Sequence, residues 1–237
     1  MIDKLIVARD DRWYLAWPDL ALLPSLKLVC TFMRCVHHGD RSATALCVTE
    51  SEDRGQSWSS PRVLAKEQGD QYWNCARITH LRDGRLAILC DHIVGREDRQ
   101  HDKLTNHLWF SMDDGATWDG PHRTPALGIV PDRLLELTDG RWLLSCHRTS
   151  PATGFLEQRL WISADQGQHW SAPITVASQP GLNLCEGSIL PLPDGTLVCY
   201  LRENSFQGWD GYKAISDDGG LTWHRRNTSA LGAYEIV

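Results

Sequence analysis

Glu186 and Arg202 are two residues whose types and spacing could do chemistry. Glu186 stands before an apolar stretch at 188–192, and Arg202 stands after the next apolar stretch, with the turn pair Asp194–Gly195 between them. A hairpin at that turn would place both side chains on neighbouring strands. Arginine offers a planar, two-pronged donor that matches a carboxylate, so the pair could serve an acidic ligand. The alternative is an ion pair at the strand ends on the surface.

Histidine and aspartate residues form a second set of candidates, because these side chains can bind metal ions. The set consists of His37, His38 and Asp40, then Asp91 with His92, and His101 with Asp102. No spacing among them matches a known ligand set. We therefore expect no metal and no other cofactor.

The elements that must position these residues are indicated by an eight-residue pattern, Ser-x-Asp-x-Gly-x-x-Trp, that occurs four times. The copies begin at Ser51, Ser111, Ser163 and Ser216. They recur roughly every 50–60 residues, which is typical of stacked supersecondary units. The Asp can bond back to the backbone of a tight turn, the Gly can adopt positive φ, and the Trp can bury a large apolar face. Each copy predicts a hairpin tip fixed to its own sheet.

A second series of turns alternates with the first. Asp83–Gly84, Asp139–Gly140 and Asp194–Gly195 each precede an apolar run, which is a strong hairpin signal. Ser25–Leu26 stands where a fourth member belongs but lacks the Asp-Gly pair. Each repeat thus contains two hairpins, and two hairpins make a four-stranded sheet.

The segments between the turns are short and rich in β-formers, and none keeps a helical period for more than about two turns. The predicted strands are 28–36, 43–49, 86–90, 107–111, 142–146, 160–163, 197–201 and 212–216. Four successive four-stranded sheets predict an all-β chain built as a β-propeller.

Composition narrows the function classes. The formal net charge of −6 argues against nucleic-acid binding, which favours a basic stripe. We also expect no membrane partner, because no apolar run reaches spanning length. The N-terminus is too short and too charged for a signal peptide, and most of the eight cysteines stand singly in apolar strands. These features predict reduced core thiols and a cytoplasmic location.

The fourfold Ser-x-Asp-x-Gly-x-x-Trp pattern resembles the Asp box, or BNR repeat, of the sialidase (neuraminidase) superfamily. The resemblance covers essentially the whole chain and implies a sialidase-like β-propeller. It also implies that Asp53, Asp113, Asp165 and Asp218 are structural, since the family's Asp boxes lie away from the active site.

The resemblance implies roles for three residues, by analogy with an enzyme that uses three arginines, an acid/base Asp and a Tyr activated by a Glu. Asp40 resembles the acid/base, Glu186 the activating Glu, and Arg202 one of the substrate-binding arginines. A solvated polar loop is the alternative for Asp40.

Further residues could complete a sugar site. Arg77 and Arg133 begin the inner strands of repeats two and three and could bind a sugar, with strand-end ion pairs as the alternative. Trp73, Trp209 and Tyr72 could stack on a sugar ring, although an aromatic in a propeller is more often core.

Two features depart from the family pattern. Sialidases carry Arg-Ile-Pro before the first hairpin, and this chain has Ala16-Trp17-Pro18. The family's ring has six blades, whereas this sequence supplies four, so we expect an incomplete propeller whose third arginine and Tyr nucleophile are absent; Tyr234–Glu235 does not match the expected context.

We expect a single propeller domain over 1–237, incomplete at its C-terminus, with blades near 13–66, 72–128, 129–179 and 182–230. The resemblance implies an exo-glycosidase acting on a terminal acidic sugar such as sialic acid, provided that the missing blades are supplied. A non-catalytic carbohydrate-binding propeller and an interaction scaffold without a sugar site remain the alternatives.

Overall fold

A computed structural model describes residues 4–67, 69–95 and 103–225, except the side chain of residue 225. The described residues form sixteen β-strands arranged as four four-stranded sheets, and they contain no α-helix. This confirms the predicted all-β, four-blade propeller arrangement. None of the described segments is a helix long and apolar enough to cross a bilayer.

The chain divides into two compact units, Met1–Thr124 and Pro125–Val237. Unit 1 contains two sheets whose strands are neighbours in chain order. The first sheet comprises β1 (Tyr14–Leu22), β2 (Leu28–Cys35), β3 (Ala45–Ser51) and β4 (Arg62–Lys66). The second comprises β5 (Gln71–His80), β6 (Leu86–Val94), β7 (Leu104–Ser111) and β8 (Asp119–Leu127), whose last three residues follow the unit boundary at Thr124.

Unit 2 repeats this plan with its own two sheets. The third sheet comprises β9 (Leu135–Glu136), β10 (Trp142–Thr149), β11 (Leu156–Ser163) and β12 (Ile174–Ala177). The fourth comprises β13 (Leu184–Pro191), β14 (Leu197–Glu203), β15 (Tyr212–Ser216) and β16 (His224–Arg225). The predicted blade limits remain a prediction, and residues 226–230 and Tyr234–Glu235 lie outside the described residues.

Each unit packs its two sheets around its own apolar core. In unit 1 the fully buried side chains include Leu46, Ile88 and Trp109. In unit 2 they include Leu160, Leu197 and Cys199. All eight cysteines are buried free thiols, and burial raises the pKa of the Cys185 thiol to about 12.

The hairpin between the first two strands of each sheet contains the predicted Asp-Gly turn, with Gly84, Gly140 and Gly195 at φ near +90°. In the first sheet Leu26 occupies this position at φ +70°. The hydrogen-bond pattern is the same there, since Leu26 N donates to Leu23 O as Gly84 N donates to Leu81 O. Ser25–Leu26 is therefore the fourth turn of the series, formed without glycine.

The Ser-x-Asp-x-Gly-x-x-Trp segments form the turns between the third and fourth strands. In the second sheet Ser111 Oγ donates to Asp113 Oδ1 at 2.8 Å, and Gly115 N donates to Ser111 Oγ at 2.8 Å. Thr117 donates to Asp113 through its backbone N (2.8 Å) and its hydroxyl (2.6 Å). These bonds lower the pKa of Asp113 to about 2. Trp118 Nε1 donates to Gly115 O at 3.0 Å, which fastens the indole to the turn.

Asp113→Ala is expected to lower the melting temperature without affecting ligand binding. The change removes the acceptor of three hydrogen bonds in one turn, and we expect a drop on the order of 4 °C by differential scanning calorimetry. Met112→Ala is the matched control, because Met112 lies in the same turn and is 81% exposed. An unchanged melting temperature combined with lost sugar affinity would contradict the structural role.

A β-bulge interrupts the first strand of three sheets. The register shifts between Ala16 and Asp19, between Asn74 and Arg77, and between Cys185 and Ser188. The residue that begins each shift is not glycine yet has positive φ: Trp17 at +51°, Cys75 at +40° and Glu186 at +49°. Such backbone costs about 1–3 kcal/mol per residue unless the surroundings enforce it.

One aspartate joins the two sheets of each unit by accepting a backbone hydrogen bond from the first strand of the second sheet in that unit. Asp19 Oδ2 accepts a 2.9 Å hydrogen bond from Ile78 N in unit 1. Asp132 Oδ2 accepts a 2.8 Å bond from Ile189 N in unit 2. Both aspartates follow a proline, in Trp17-Pro18-Asp19 and Val130-Pro131-Asp132, so the Pro-Asp pair was a sequence signal for these anchors that our sequence analysis missed.

Candidate functional site

Glu186 and Arg202 lie side by side in the fourth sheet, as the hairpin predicts. Arg202 Nη1 donates to both carboxylate oxygens of Glu186, at 3.2 and 3.1 Å. The pair is partly open to solvent, with side-chain exposures of 49% for Arg202 and 39% for Glu186. Among the described residues, Glu186 accepts hydrogen bonds from Nη1 of Arg202 alone. A ligand can therefore approach the other guanidinium nitrogens.

Polar side chains of the third sheet hold the bulge that carries Glu186. Glu186 N donates to His147 Nδ1 at 3.2 Å, and Gly187 N donates to Gln158 Oε1 at 3.2 Å. Gln158 Nε2 in turn donates to Ser145 Oγ at 2.6 Å. His147 and Gln158 are almost completely buried. These bonds satisfy the backbone groups that the bulge removes from the strand ladder.

Burial and the nearby Arg202 charge lower the pKa of His147 to about 4. His147 is therefore neutral at pH 7. Its Nδ1 accepts the Glu186 amide, so the ring proton sits on Nε2. In unit 1, burial together with the charges of His92 and Arg123 lowers the pKa of His107 to about 4.

The protein is expected to lose stability as the pH falls from about 6.5 to about 4. A histidine whose folded-state pKa is depressed binds its proton more readily in the unfolded chain, so acid favours unfolding across this window. For the buried His147 the loss is on the order of 3 kcal/mol. Urea titrations at successive pH values measure it.

The matched variants for that titration are His147→Gln, which should flatten the pH slope, and His224→Gln, which changes an exposed ring. A wild-type midpoint that does not move between pH 6.5 and 4 would contradict the burial of a neutral His147. Loss of the Asp113 contribution occurs at lower pH, between its ordinary 3.8 and about 2, so the two effects are separable.

The position of Arg202 recurs on the second strand of the other sheets. Leu28, Leu86, Trp142 and Leu197 pair with the Ser of each turn motif. The residue five positions further along each of these strands is, in the same order, Met33, Asp91, His147 and Arg202. Three of the four are polar in otherwise apolar strands, so this register position was a signal for functional residues that our sequence analysis did not use.

Asp40 lies in unit 1, on the loop between β2 and β3. His37 and Asp40 exchange backbone hydrogen bonds of 2.9 and 3.0 Å. Asp40 Oδ1 accepts from Ser42 N at 3.0 Å and from Ser42 Oγ at 2.6 Å. The carboxylate is thereby oriented by its own loop, and its acid/base role stays a prediction.

The other predicted sugar ligands lie in different settings. Arg77 is half-buried in β5, opposite Leu89. Arg133 is exposed, and its backbone N donates to Asp132 Oδ1 at 2.9 Å. Their roles remain predictions.

The aromatic residues considered for stacking on a sugar ring differ in burial. Trp73 is buried against His92, His107 and Trp109, so it belongs to the core of unit 1. Trp209 is 60% exposed.

Arg41 is a candidate that our sequence analysis missed. Its guanidinium carbon lies 4.9 Å from the ring centre of Trp17 and 5.6 Å from that of Tyr72. Its Nη1 donates to Asn74 Oδ1 at 3.0 Å. The only sequence signal was its place next to Asp40, because the contacts join residues that are distant in the chain.

A metal centre receives no support from the residues that the structure describes, since no group of three or more His, Cys, Asp or Glu side chains among them could hold an ion. His101 and Asp102, part of the set considered above, lie outside the described residues.

Four-stranded meanders in series, each with a Ser-x-Asp turn and three of them with a bulged first strand, define a sialidase-like β-propeller. The BNR repeat-like domain family matches residues 28–235. The chain belongs to this family.

Solved structures share the fold at low sequence identity. The chain matches the leech intramolecular trans-sialidase complexed with 2,7-anhydro-Neu5Ac, with a TM-score of 0.71 and 16% identity over 95% of this chain and 52% of that one. It matches the GH93 α-L-arabinofuranosidase of Fusarium graminearum complexed with arabinobiose, with a TM-score of 0.68 and 15% identity over 93% and 69%. The two structures contain different sugars, 2,7-anhydro-Neu5Ac in the first and arabinobiose in the second.

A curated relative at the sequence level is an uncharacterized protein of Saccharomyces cerevisiae, YCR100C. It is 25% identical over 134 residues, which are 51% of this chain and 40% of the yeast protein. The chain thus spans less than half of that relative and about half of the leech enzyme.

Proposed function

We propose that the protein is a sialidase-like exo-glycosidase that acts on a terminal acidic sugar. The observation that carries the proposal is the Glu186–Arg202 pair, in which a half-exposed guanidinium is bound by one carboxylate through Nη1. Arg202 would bind the sugar carboxylate, because a guanidinium fork matches that group in shape and charge. The related folds of a trans-sialidase and an arabinofuranosidase support a sugar as the ligand.

In this proposal Glu186 is the general base that activates a nucleophile, and Asp40 is the acid that protonates the leaving oxygen. The bulge fixes Glu186 by backbone bonds to His147 and Gln158. Such rigid placement suits a catalytic group, since small misplacements slow a reaction strongly. Arg77 and Arg133 are proposed as further sugar ligands.

A non-catalytic carbohydrate-binding propeller is the second candidate, favoured by Ala16. Ala16 is buried in β1 opposite Met33, so no guanidinium comes from that strand position. One lost transition-state contact of this kind typically lowers the rate by about 10²–10³-fold.

The test combines binding with turnover on the purified 237-residue chain. We expect sialic acid to bind measurably by isothermal titration calorimetry, and a fluorogenic sialoside to be hydrolysed slowly or not at all. Rapid turnover would contradict the expectation that these 237 residues lack the nucleophile. Absence of binding to sialic acid, together with binding of arabinobiose, would replace the acidic sugar with a neutral one.

A further inference from the structure

A buried histidine of the third sheet holds the strained backbone at Glu186. Glu186 has φ +49°, a conformation that is costly for any residue other than glycine. Its N–H donates to His147 Nδ1 at 3.2 Å, and the N–H of Gly187 donates to Gln158 Oε1 at 3.2 Å. His147 is 4% exposed, and Gln158 is fully buried. The strained conformation of Glu186 therefore depends on these two acceptors.

The two acceptors respond differently to acid. Gln158 does not titrate, and its Nε2 donates to Ser145 Oγ at 2.6 Å, which fixes the orientation of the amide. His147 Nδ1 accepts a hydrogen bond only while the ring is neutral, because both nitrogens of an imidazolium are donors. Protonation of His147 therefore sets two donors against each other, the Nδ1–H of the ring and the N–H of Glu186.

In the conformation that His147 holds, Glu186 occupies Arg202. Both carboxylate oxygens of Glu186 accept from Arg202 Nη1, at 3.2 and 3.1 Å. The carboxylate of a ligand has to compete with Glu186 for the guanidinium, and the negative charge of Glu186 repels it. Neutral His147 thus keeps Arg202 paired within the chain, which lowers the affinity for an acidic ligand.

The charge of Arg202 acts in turn on His147. Burial and then the Arg202 charge lower the pKa of His147 to about 4, so a ligand that neutralises Arg202 should raise that pKa. The other titratable or charged groups on the elements packed around His147 are Cys146 and Arg148 of β10, Glu136 of β9, Glu157 and Arg159 of β11, Cys185 and Glu186 of β13, Cys199, Tyr200 and Glu203 of β14, and Asp132 and Arg133 before β9.

We propose that His147 is an acid-sensitive switch that controls the Glu186–Arg202 pair. In its neutral form His147 holds the Glu186 amide and keeps Glu186 on Arg202. In its protonated form it releases the bulge, Glu186 leaves Arg202, and the guanidinium becomes free to bind an acidic ligand. The inference rests on the proposed function only in taking an acidic sugar as the ligand and Glu186 as the base.

The switch has opposite consequences for binding and for turnover. Acid should strengthen the binding of an acidic sugar, because Arg202 is released and His147 adds a positive charge. Acid should weaken any hydrolysis, because Glu186 leaves the position that the bulge gives it. Since coupling between two binding events is reciprocal, the bound sugar should also favour the protonated form of His147.

The first experiment follows the Glu186 amide and the His147 ring by NMR in the free protein, from about pH 6.5 to about pH 3.5. We expect part of the Glu186 amide shift to follow the His147 titration, with a midpoint near 4. His147→Asn keeps an acceptor close to the place of Nδ1 and cannot titrate, so that part should vanish while any contribution of the Glu186 carboxyl remains. His224→Gln, which changes an exposed ring of the same unit, should leave the curve unaltered.

Arg202→Gln tests the coupling without a ligand. Loss of the guanidinium charge should move the His147 midpoint upward by about half a pH unit or more. Arg141→Gln is the matched control, because Arg141 belongs to the same unit but binds Asp139 and the carbonyl oxygen of Gly219. This variant should leave the His147 midpoint where it is in the wild type.

The ligand experiment uses N-acetylneuraminic acid and its methyl ester in calorimetric titrations. We expect the affinity for the acid to be about threefold higher at about pH 4.5 than at about pH 6.5, and to rise less in His147→Asn. The neutral ester should show no such rise. Any hydrolysis of a fluorogenic sialoside should fall over the same range of pH.

A Glu186 amide that ignores the His147 titration, or that shifts only together with global unfolding, overturns the proposal. So does an affinity for the acid that stays level or falls on acidification, or a His147 midpoint that Arg202→Gln does not move. Failure of N-acetylneuraminic acid to bind at either pH removes the proposed function, while the titrations of the free protein still decide whether His147 controls the pair. If His147→Asn melts well below the wild type at neutral pH, His147→Gln takes its place.

Discussion

Replacing Gly128 with alanine lowers the melting temperature by about 6–12 °C, the largest stability effect we expect from one added methyl group. Gly128 has φ +153°, and a Cβ there would collide with the backbone carbonyl oxygen of His147 and lie 2.8 Å from Cys146 Sγ. The colliding atoms are backbone and a buried thiol, so neither can move aside cheaply. Overpacking and backbone strain together cost on the order of 3 kcal/mol.

The Gly128→Ala substitution should also disturb the candidate site. Ile129 N donates to His147 O at 2.8 Å, and His147 N donates to Ile129 O at 3.2 Å. This bridge lies next to Gly128 and positions the ring that accepts the Glu186 amide. We therefore expect weaker binding of acidic sugars as well as a lower melting temperature.

Gly154→Ala is the matched control in unit 2. Gly154 also has positive φ, at +73°, but an added Cβ would meet nothing within 4 Å. It isolates the backbone strain, which costs roughly 1–2 kcal/mol. Equal melting temperatures for the two variants, measured by calorimetry, would show that the Gly128 contact can relax.

The sequence predicts the turns of this protein well because turn chemistry is local. The Asp113 turn and the Asp-Gly turns depend on residues within a few positions of one another. Even Ser25–Leu26 was located by its place in the repeat, although Leu26 has to adopt φ +70° without the freedom of glycine.

The predicted strands are too short where an apolar run is followed by polar residues that still belong to the strand. The apolar run predicts a strand at 86–90, whereas β6 continues through Asp91 and His92 to Val94. Likewise β10 continues past Cys146 through His147 to Thr149. Hydrophobic patterning ends at these polar residues, yet the strand continues because the neighbouring strands supply hydrogen bonds to it.

The candidate site was only partly predictable for the same reason. Glu186 and Arg202 flank one hairpin, so their proximity follows from sequence. The contacts of Arg41 with Asn74 and of Glu186 with His147 join different sheets of one unit. No local pattern encodes such pairs, and the bulges at Trp17 and Glu186 lack the glycine that would have revealed them.

Arg202→Lys and Glu186→Gln are expected to separate binding from turnover at the proposed site. Lysine keeps the charge of Arg202 but loses the planar fork, so binding of N-acetylneuraminic acid should weaken by about 10–100-fold. The methyl ester, which lacks the charge, should be affected far less. Calorimetric titration of both ligands measures the difference.

Glu186→Gln should have the opposite effect on binding. Glu186 engages Arg202 at 3.1 Å and repels an incoming carboxylate, so removing its charge should leave acidic-sugar affinity equal or higher. Any hydrolysis of a fluorogenic sialoside should fall by about 10²-fold or more, because the general base is lost. Arg159→Lys is the control, since it alters the Glu157–Arg159 ion pair of the same unit. If Glu186→Gln weakens binding as much as Arg202→Lys does while both variants keep the wild-type melting temperature, Glu186 contacts the ligand directly and its role as a base is wrong.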